Sequence, residues 1–165
     1  MTGPNPAASL LDRITRLEDL EAIRQLDARY CRHLDDGDWD ALLALFTDDG
    51  EFDGLSHPRG KSEMREFFAG LAEGGLTSFW HFVTNLEIDL DGDRATTRSF
   101  LWQPCVTDGT PAIAAGRYTD ELVKLDGRWF YKVKQVRFHF FGPLEAGWDE
   151  NLFALDSARN VAVRA

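Results

Sequence analysis

A chain of 165 residues that is 44% hydrophobic and 12% aromatic has the length for one domain with a sizeable core and is too apolar to be disordered. Its formal net charge of −10 excludes a basic nucleic-acid surface and disfavours anionic membranes. Cys31 and Cys105 are too few for a disulfide scaffold, no zinc-binding spacing occurs, and no apolar run approaches the about 20 residues of a membrane span, so a soluble cytoplasmic protein is expected.

Residues 1–8, with Pro4, Pro6 and Gly3, read as a flexible lead without the apolar run of a signal peptide. Helical periodicity then covers 9–34, with Leu17, Leu20, Ile23, Leu26 and Tyr30 on the buried face. Asp35 and Asp36 close this helix, where anions oppose the helix dipole. Gly37 suits the position after the helix, and Asp38 suits the N-cap of a second helix over 39–46. A turn at 47–50 leads to a short strand at 51–53. The loop Ser56-His57-Pro58-Arg59-Gly60 precedes a third helix over 61–71, with Met64, Phe67 and Phe68 on one face.

The pattern then becomes extended. Residues 77–90 read as one strand, with Leu86, Ile88 and Leu90 facing one way and Glu87 and Asp89 the other. Strands follow over 93–106, 112–125 and 128–141. Asp91-Gly92, Asp108-Gly109 and Asp126-Gly127 mark the hairpin turns. Residues 143–165 carry no strong pattern. Trp148, Leu152 and Phe153 there would cover the pocket or a neighbouring subunit. Helices first, then antiparallel strands, specify an α+β domain over 9–142. A curved, mostly antiparallel sheet with three N-terminal helices on its concave side makes a cone, apolar within and open at one end.

Four histidines are candidates for chemistry. His57 lies beside a proline in a loop and His33 on a charged helix face; both read as surface. His139, among aromatics of the last strand, reads as structural. His81 in Phe79-Trp80-His81-Phe82-Val83 either hydrogen-bonds within the core or lines a pocket. A carboxylate beside a buried imidazole favours its charged form and fixes its tautomer, freeing the other nitrogen to act as a base. Asp35, ill placed at its helix end, is a candidate partner; the rival reading makes Asp35 and Asp36 a solvated turn.

The segments YCRHLDDGDWDALLALFTDDGEFD, HPRG, WHFVTNLEIDLDGDRA and GRYTDELVKLDGRWFYK resemble the SnoaL-like branch of the nuclear transport factor 2-like superfamily, with its cystatin-like fold, over residues 10–142. Within it they are most similar to the Asp–His dyad group that includes scytalone dehydratase, hexachlorocyclohexane dehydrochlorinase and the bile-acid dehydratase. The resemblance places Asp35 and His81 on the catalytic pair and Tyr30 on a tyrosine five residues before the aspartate. Lys134, five residues after Trp129, stands where the dehydrochlorinase has an arginine, which keeps the charge without the planar fork. Gln103 stands at the position of a pocket aspartate and, being neutral, is not a proton donor.

The resemblance thus implies a cofactor-free, metal-free lyase of dehydratase type acting on a hydrophobic cyclic substrate such as a steroid or polyketide. His81 is the general base, Asp35 orients it, and Tyr30 bonds an oxygen. Phe46, Leu101, Trp102, Gln103 and Lys134 are the substrate-binding candidates, although strand alternation sets Trp102 opposite Leu101 and Gln103. Bland roles compete: a core tyrosine at Tyr30, a solvated strand face at Lys134. A polyketide cyclase or ketosteroid-isomerase-like enzyme would use the same base. A ligand carrier or the β-subunit of a ring-hydroxylating oxygenase would leave the dyad unconstrained. The resemblance also implies a homo-oligomer, dimer or trimer.

Overall fold

The computed structural model of the chain describes residues 6–143 and residue 145. The expected covering segment, with Trp148, Leu152 and Phe153, lies outside the described residues. Three helices, α1 (Pro6–Asp36), α2 (Trp39–Leu43) and α3 (Gly60–Ala69), pack on a curled sheet of six strands. The strands are β1 (Phe46–Asp53), β2 (Leu76–Phe79), β3 (Phe82–Asp91), β4 (Arg94–Thr107), β5 (Thr110–Leu125) and β6 (Arg128–Pro143). Their order is β1-β6-β5-β4-β2, with β3 also paired to β4. Only β1 against β6 is parallel, so the sheet is mostly antiparallel, as expected.

The three Asp-Gly signals all mark hairpins. Thr107 pairs with Thr110 and Leu125 with Arg128, leaving loops of Asp108-Gly109 and Asp126-Gly127. All four loop residues have positive φ, between 49° and 76°, the twist-matched geometry that aspartate and glycine tolerate best. In the first hairpin the loop is Gly92-Asp93, and Gly92 supplies the positive φ of 55°.

Two differences from the sequence reading bear on the site. The second helix stops at Leu43, because the Leu45 carbonyl accepts the Tyr131 N–H and Phe46 enters parallel pairing with Tyr131. Phe46 therefore opens β1, and the expected turn at 47–50 is an irregularity within that strand. The strand expected over 77–90 is two strands, interrupted at Trp80 and His81. A further irregularity falls between Thr84 and Glu87, where Asn85 takes a left-handed φ of 56°. Asparagine is one of the few residues that accepts this conformation at small cost.

On α1, Ile23, Leu26, Tyr30 and Leu34 are buried against the sheet, but Leu17 is 64% exposed. The expected apolar face thus begins later than its periodicity suggested. The α1 helix begins at Pro6, inside the stretch read as a lead.

The β5–β6 pairing shifts between Ala115 and Gly116. A Cβ on Gly116 would run into the Arg137 backbone carbonyl, which cannot swing aside as a side chain would. Gly116→Ala should therefore destabilise the domain by about 1–3 kcal/mol. A lowered denaturant midpoint at unchanged slope is the expected reading; an unchanged midpoint would mean that the strands separate freely there.

Candidate active site

The site forms where the end of α1 meets the break between β2 and β3. At the break, Trp80 donates its N–H to the Pro104 carbonyl of β4. The next N–H, from His81, points to the Asp35 carboxylate instead, 3.0 Å from Oδ2 and 3.2 Å from Oδ1. The His81 ring turns the same way, placing Nδ1 at 2.6 Å from Asp35 Oδ1. One carboxylate thus binds both the backbone and the ring of the same histidine. The His81 and Asp35 side chains are only 6% and 14% exposed, so the pair is largely sheltered from water.

With Nδ1 taken by the carboxylate, Nε2 is the nitrogen left for a ligand. His81 lines a small cavity together with Tyr30, Gln103, Tyr118, Phe79 and Phe138. Phe79 meets the imidazole edge-on, with ring centres 5.5 Å apart. The Tyr30 hydroxyl is buried and has no hydrogen-bond partner among the described residues. Burial, reinforced by Cys31, Asp120 and Asp27, pushes its pKa well above the ordinary tyrosine value, so it stays a neutral donor. Burial likewise pushes the Cys31 thiol up to about 12, which removes it as a nucleophile at neutral pH.

Of the eight residues expected at the site, the structure brings Tyr30, Asp35, His81 and Gln103 together. The other four lie elsewhere. Phe46 packs in the core against Tyr30 and Tyr131, since its place in β1 turns it away from the cavity. Leu101 is buried on the same sheet face as Gln103 but is not part of the cavity wall. Trp102 is 42% exposed on the opposite face, where alternation places it.

Lys134 is neither a pocket cation nor a solvated one. It is wholly buried, with Nζ 2.8 Å from Asp120 Oδ2 and 3.5 Å from Asp27 Oδ1. The rings of Tyr30, Tyr118 and Tyr131 surround it at 4.2–4.5 Å. Lys134 therefore stands behind two of the cavity's tyrosines rather than in the cavity. His139 is exposed on the outer sheet face, not structural as its aromatic neighbours suggested. His57 is on the surface as read, 2.6 Å from Asp53.

Tyr118, Phe79 and Phe138 were missed. The signal for Tyr118 was available: it alternates with Arg117 and Thr119 along β5 and shares the inward face with Asp120 and Leu122. No helix among the described residues is long and apolar enough to cross a membrane.

The sequence matches the SnoaL-like domain model over residues 15–134. The chain belongs to the SnoaL-like family. Solved structures of similar fold include a candidate scytalone dehydratase from Novosphingobium aromaticivorans DSM 12444, 25% identical, with a TM-score of 0.72 over 79% of this chain and 91% of that one. A hexachlorocyclohexane dehydrochlorinase from Novosphingobium barchaimii LL02 is 22% identical, with a TM-score of 0.74 over 82% and 96% of the two chains. A candidate aromatic ring hydroxylase from Novosphingobium aromaticivorans is 28% identical, with a TM-score of 0.71 over 77% and 94%. No curated protein matches the sequence. This SnoaL-like chain thus shares its cystatin-like architecture with dehydratase-type proteins, and the polar groups of its cavity are those of the α1–sheet junction.

Proposed function

We propose that this SnoaL-like protein is a cofactor-free lyase that eliminates water from a hydrophobic cyclic β-hydroxy ketone. The observation that carries the reading is the 2.6 Å contact between Asp35 and Nδ1 of His81, whose ring lines an aromatic cavity. Nε2 takes the proton next to the substrate carbonyl. The imidazolium that forms is held by the Asp35 carboxylate. Electrons from the broken C–H bond pass to the carbonyl oxygen, which receives hydrogen bonds from neutral donors, Tyr30 being the best placed. Collapse of that enolate makes the carbon–carbon double bond and expels hydroxide, which leaves as water with a proton returned from His81. Gln103 contributes hydrogen bonding and no proton.

A carrier or an oxygenase β-subunit has no need of a carboxylate that binds the backbone and ring of one buried histidine; this geometry favours the enzymatic readings. The exposed aromatics Trp80, Phe82, Phe100 and Trp102 on the outer sheet face support the expectation of a homo-oligomer formed with further copies of the chain.

The test uses β-hydroxy ketones of increasing ring number in deuterium oxide. Wild type should form the enone and exchange deuterium next to the carbonyl. His81→Ala, shown folded by its circular dichroism, should lose about 10²–10⁴-fold in rate, the usual share of a general base. Equal turnover by both proteins removes His81 from the mechanism.

A further inference from the structure

The cavity lined by His81 measures about 40 Å³. That is far below the roughly 300–1,000 Å³ of small-molecule sites, so this space takes a reacting group and not a ring system. Beyond it lies a chamber of about 570 Å³, well within the range of small-molecule sites. The two share Leu55, Phe67, Leu71, Leu76 and Phe141 as common walls. A molecule that reached His81 past these shared side chains would leave most of its body in the chamber.

The chamber's charge restricts that body. Glu63 and Glu66 line it from α3, and among the described residues no lysine or arginine does. Glu63 Oε2 accepts the Arg59 backbone N–H at 2.9 Å, which anchors it at the start of the helix. Among the described residues His57 is the one basic side chain on the lining, and its ring already faces Asp53. Asp53 in turn is bound by Arg137 and by Gln135 at 2.7 Å. An anion entering the chamber would meet two carboxylates and, among the described residues, no cation free of an acidic partner. An uncharged body would meet apolar walls with acceptors at the rim.

We infer that the outer chamber is a binding compartment for the non-reacting part of the substrate, and that it selects uncharged, hydroxyl- or amine-bearing apolar bodies against carboxylates, sulfonates and phosphates. This rests on the dyad cavity being the reaction site, but its test reads the chamber alone. The probes are phenylnaphthylamine, which is neutral, and anilinonaphthalene sulfonate, which shares its ring body and carries a negative charge. Fluorescence titration of the full chain should show saturable binding of the amine and about tenfold weaker binding of the sulfonate. Glu63→Gln with Glu66→Gln should close most of that gap by tightening the sulfonate. Ser56→Trp, filling the chamber from its exposed loop, should weaken both, and Phe100→Ser on the outer sheet face should change neither. His81→Ala should keep amine binding while losing turnover, so a failed dyad and a failed chamber give different results. Equal binding of the two probes, a gap untouched by the double variant, or loss of binding in Phe100→Ser would overturn the inference.

Discussion

Exchanging Asp35 for asparagine should lower kcat by about 10²–10⁴-fold while leaving the fold intact. Asp35 is acceptor to two donors of one residue, the His81 N–H and Nδ1–H. Asparagine has one acceptor oxygen. If that oxygen keeps the backbone N–H, the amide hydrogens face Nδ1 and drive the ring proton to Nε2. The nitrogen facing the cavity then holds a proton and cannot take another. The imidazolium that must form during turnover also loses its counter-charge. Ligand contacts are unchanged, so KM should move much less than kcat. A variant with wild-type kcat across the pH range would show that the carboxylate neither orients nor stabilises the ring.

Lys134→Met should destabilise the domain by about 3–5 kcal/mol, the cost of removing one partner from a buried ion pair. The ammonium is the cation between Asp120 and Asp27, in a site closed by three tyrosine rings. Without it, two carboxylates are left in low-dielectric surroundings. Burial alone would discharge the lysine, but Asp120 and Asp27 outweigh that and hold its pKa above the ordinary value. A raised folded-state value means that this stabilisation is complete below the unfolded lysine value of about 10.4 and is lost only as pH climbs through the higher folded value. On the alkaline side, the loss in Lys134→Met should therefore be full at neutral pH and shrink in strong alkali. Denaturant titrations at neutral and alkaline pH check both parts; a variant as stable as wild type would mean that the carboxylates find other partners.

Short-range chemistry was the most legible. The Asp-Gly dipeptides set the hairpins because two residues decide the turn. The α+β order was legible because periodicity changes once along the chain. Asp35 and His81 were legible as separate oddities, an acid at the wrong helix end and an imidazole among aromatics; the need of a buried imidazole for a carboxylate linked them, and family resemblance placed both on a known pair. Lys134 misled because its sequence neighbours, Lys132 and Arg137, are those of a solvated face. What buries it comes from α1 and β5, far along the chain. Phe46 misled for a similar reason: helical periodicity continues through it, but pairing with Tyr131 captures it for the sheet. The break at Trp80 and His81 has no local breaker residue; it follows from Asp35 taking the His81 N–H.

The α1 helix also carries Asp19 and Asp27 at eight-residue intervals before Asp35. Asp19 accepts from the Trp129 indole at 2.9 Å and pairs with Lys124 at 2.7 Å, while Asp27 accepts from the Tyr131 hydroxyl at 3.1 Å. Each interval spans about 12 Å of helix, so the sheet grips this rod at three depths. Sliding or rolling it would break every grip at once. The rim acids belong to a different part of the frame, α3. Evolution or an engineer is thereby free to recut the doorway for a new guest molecule while the proton-handling machinery stays in place.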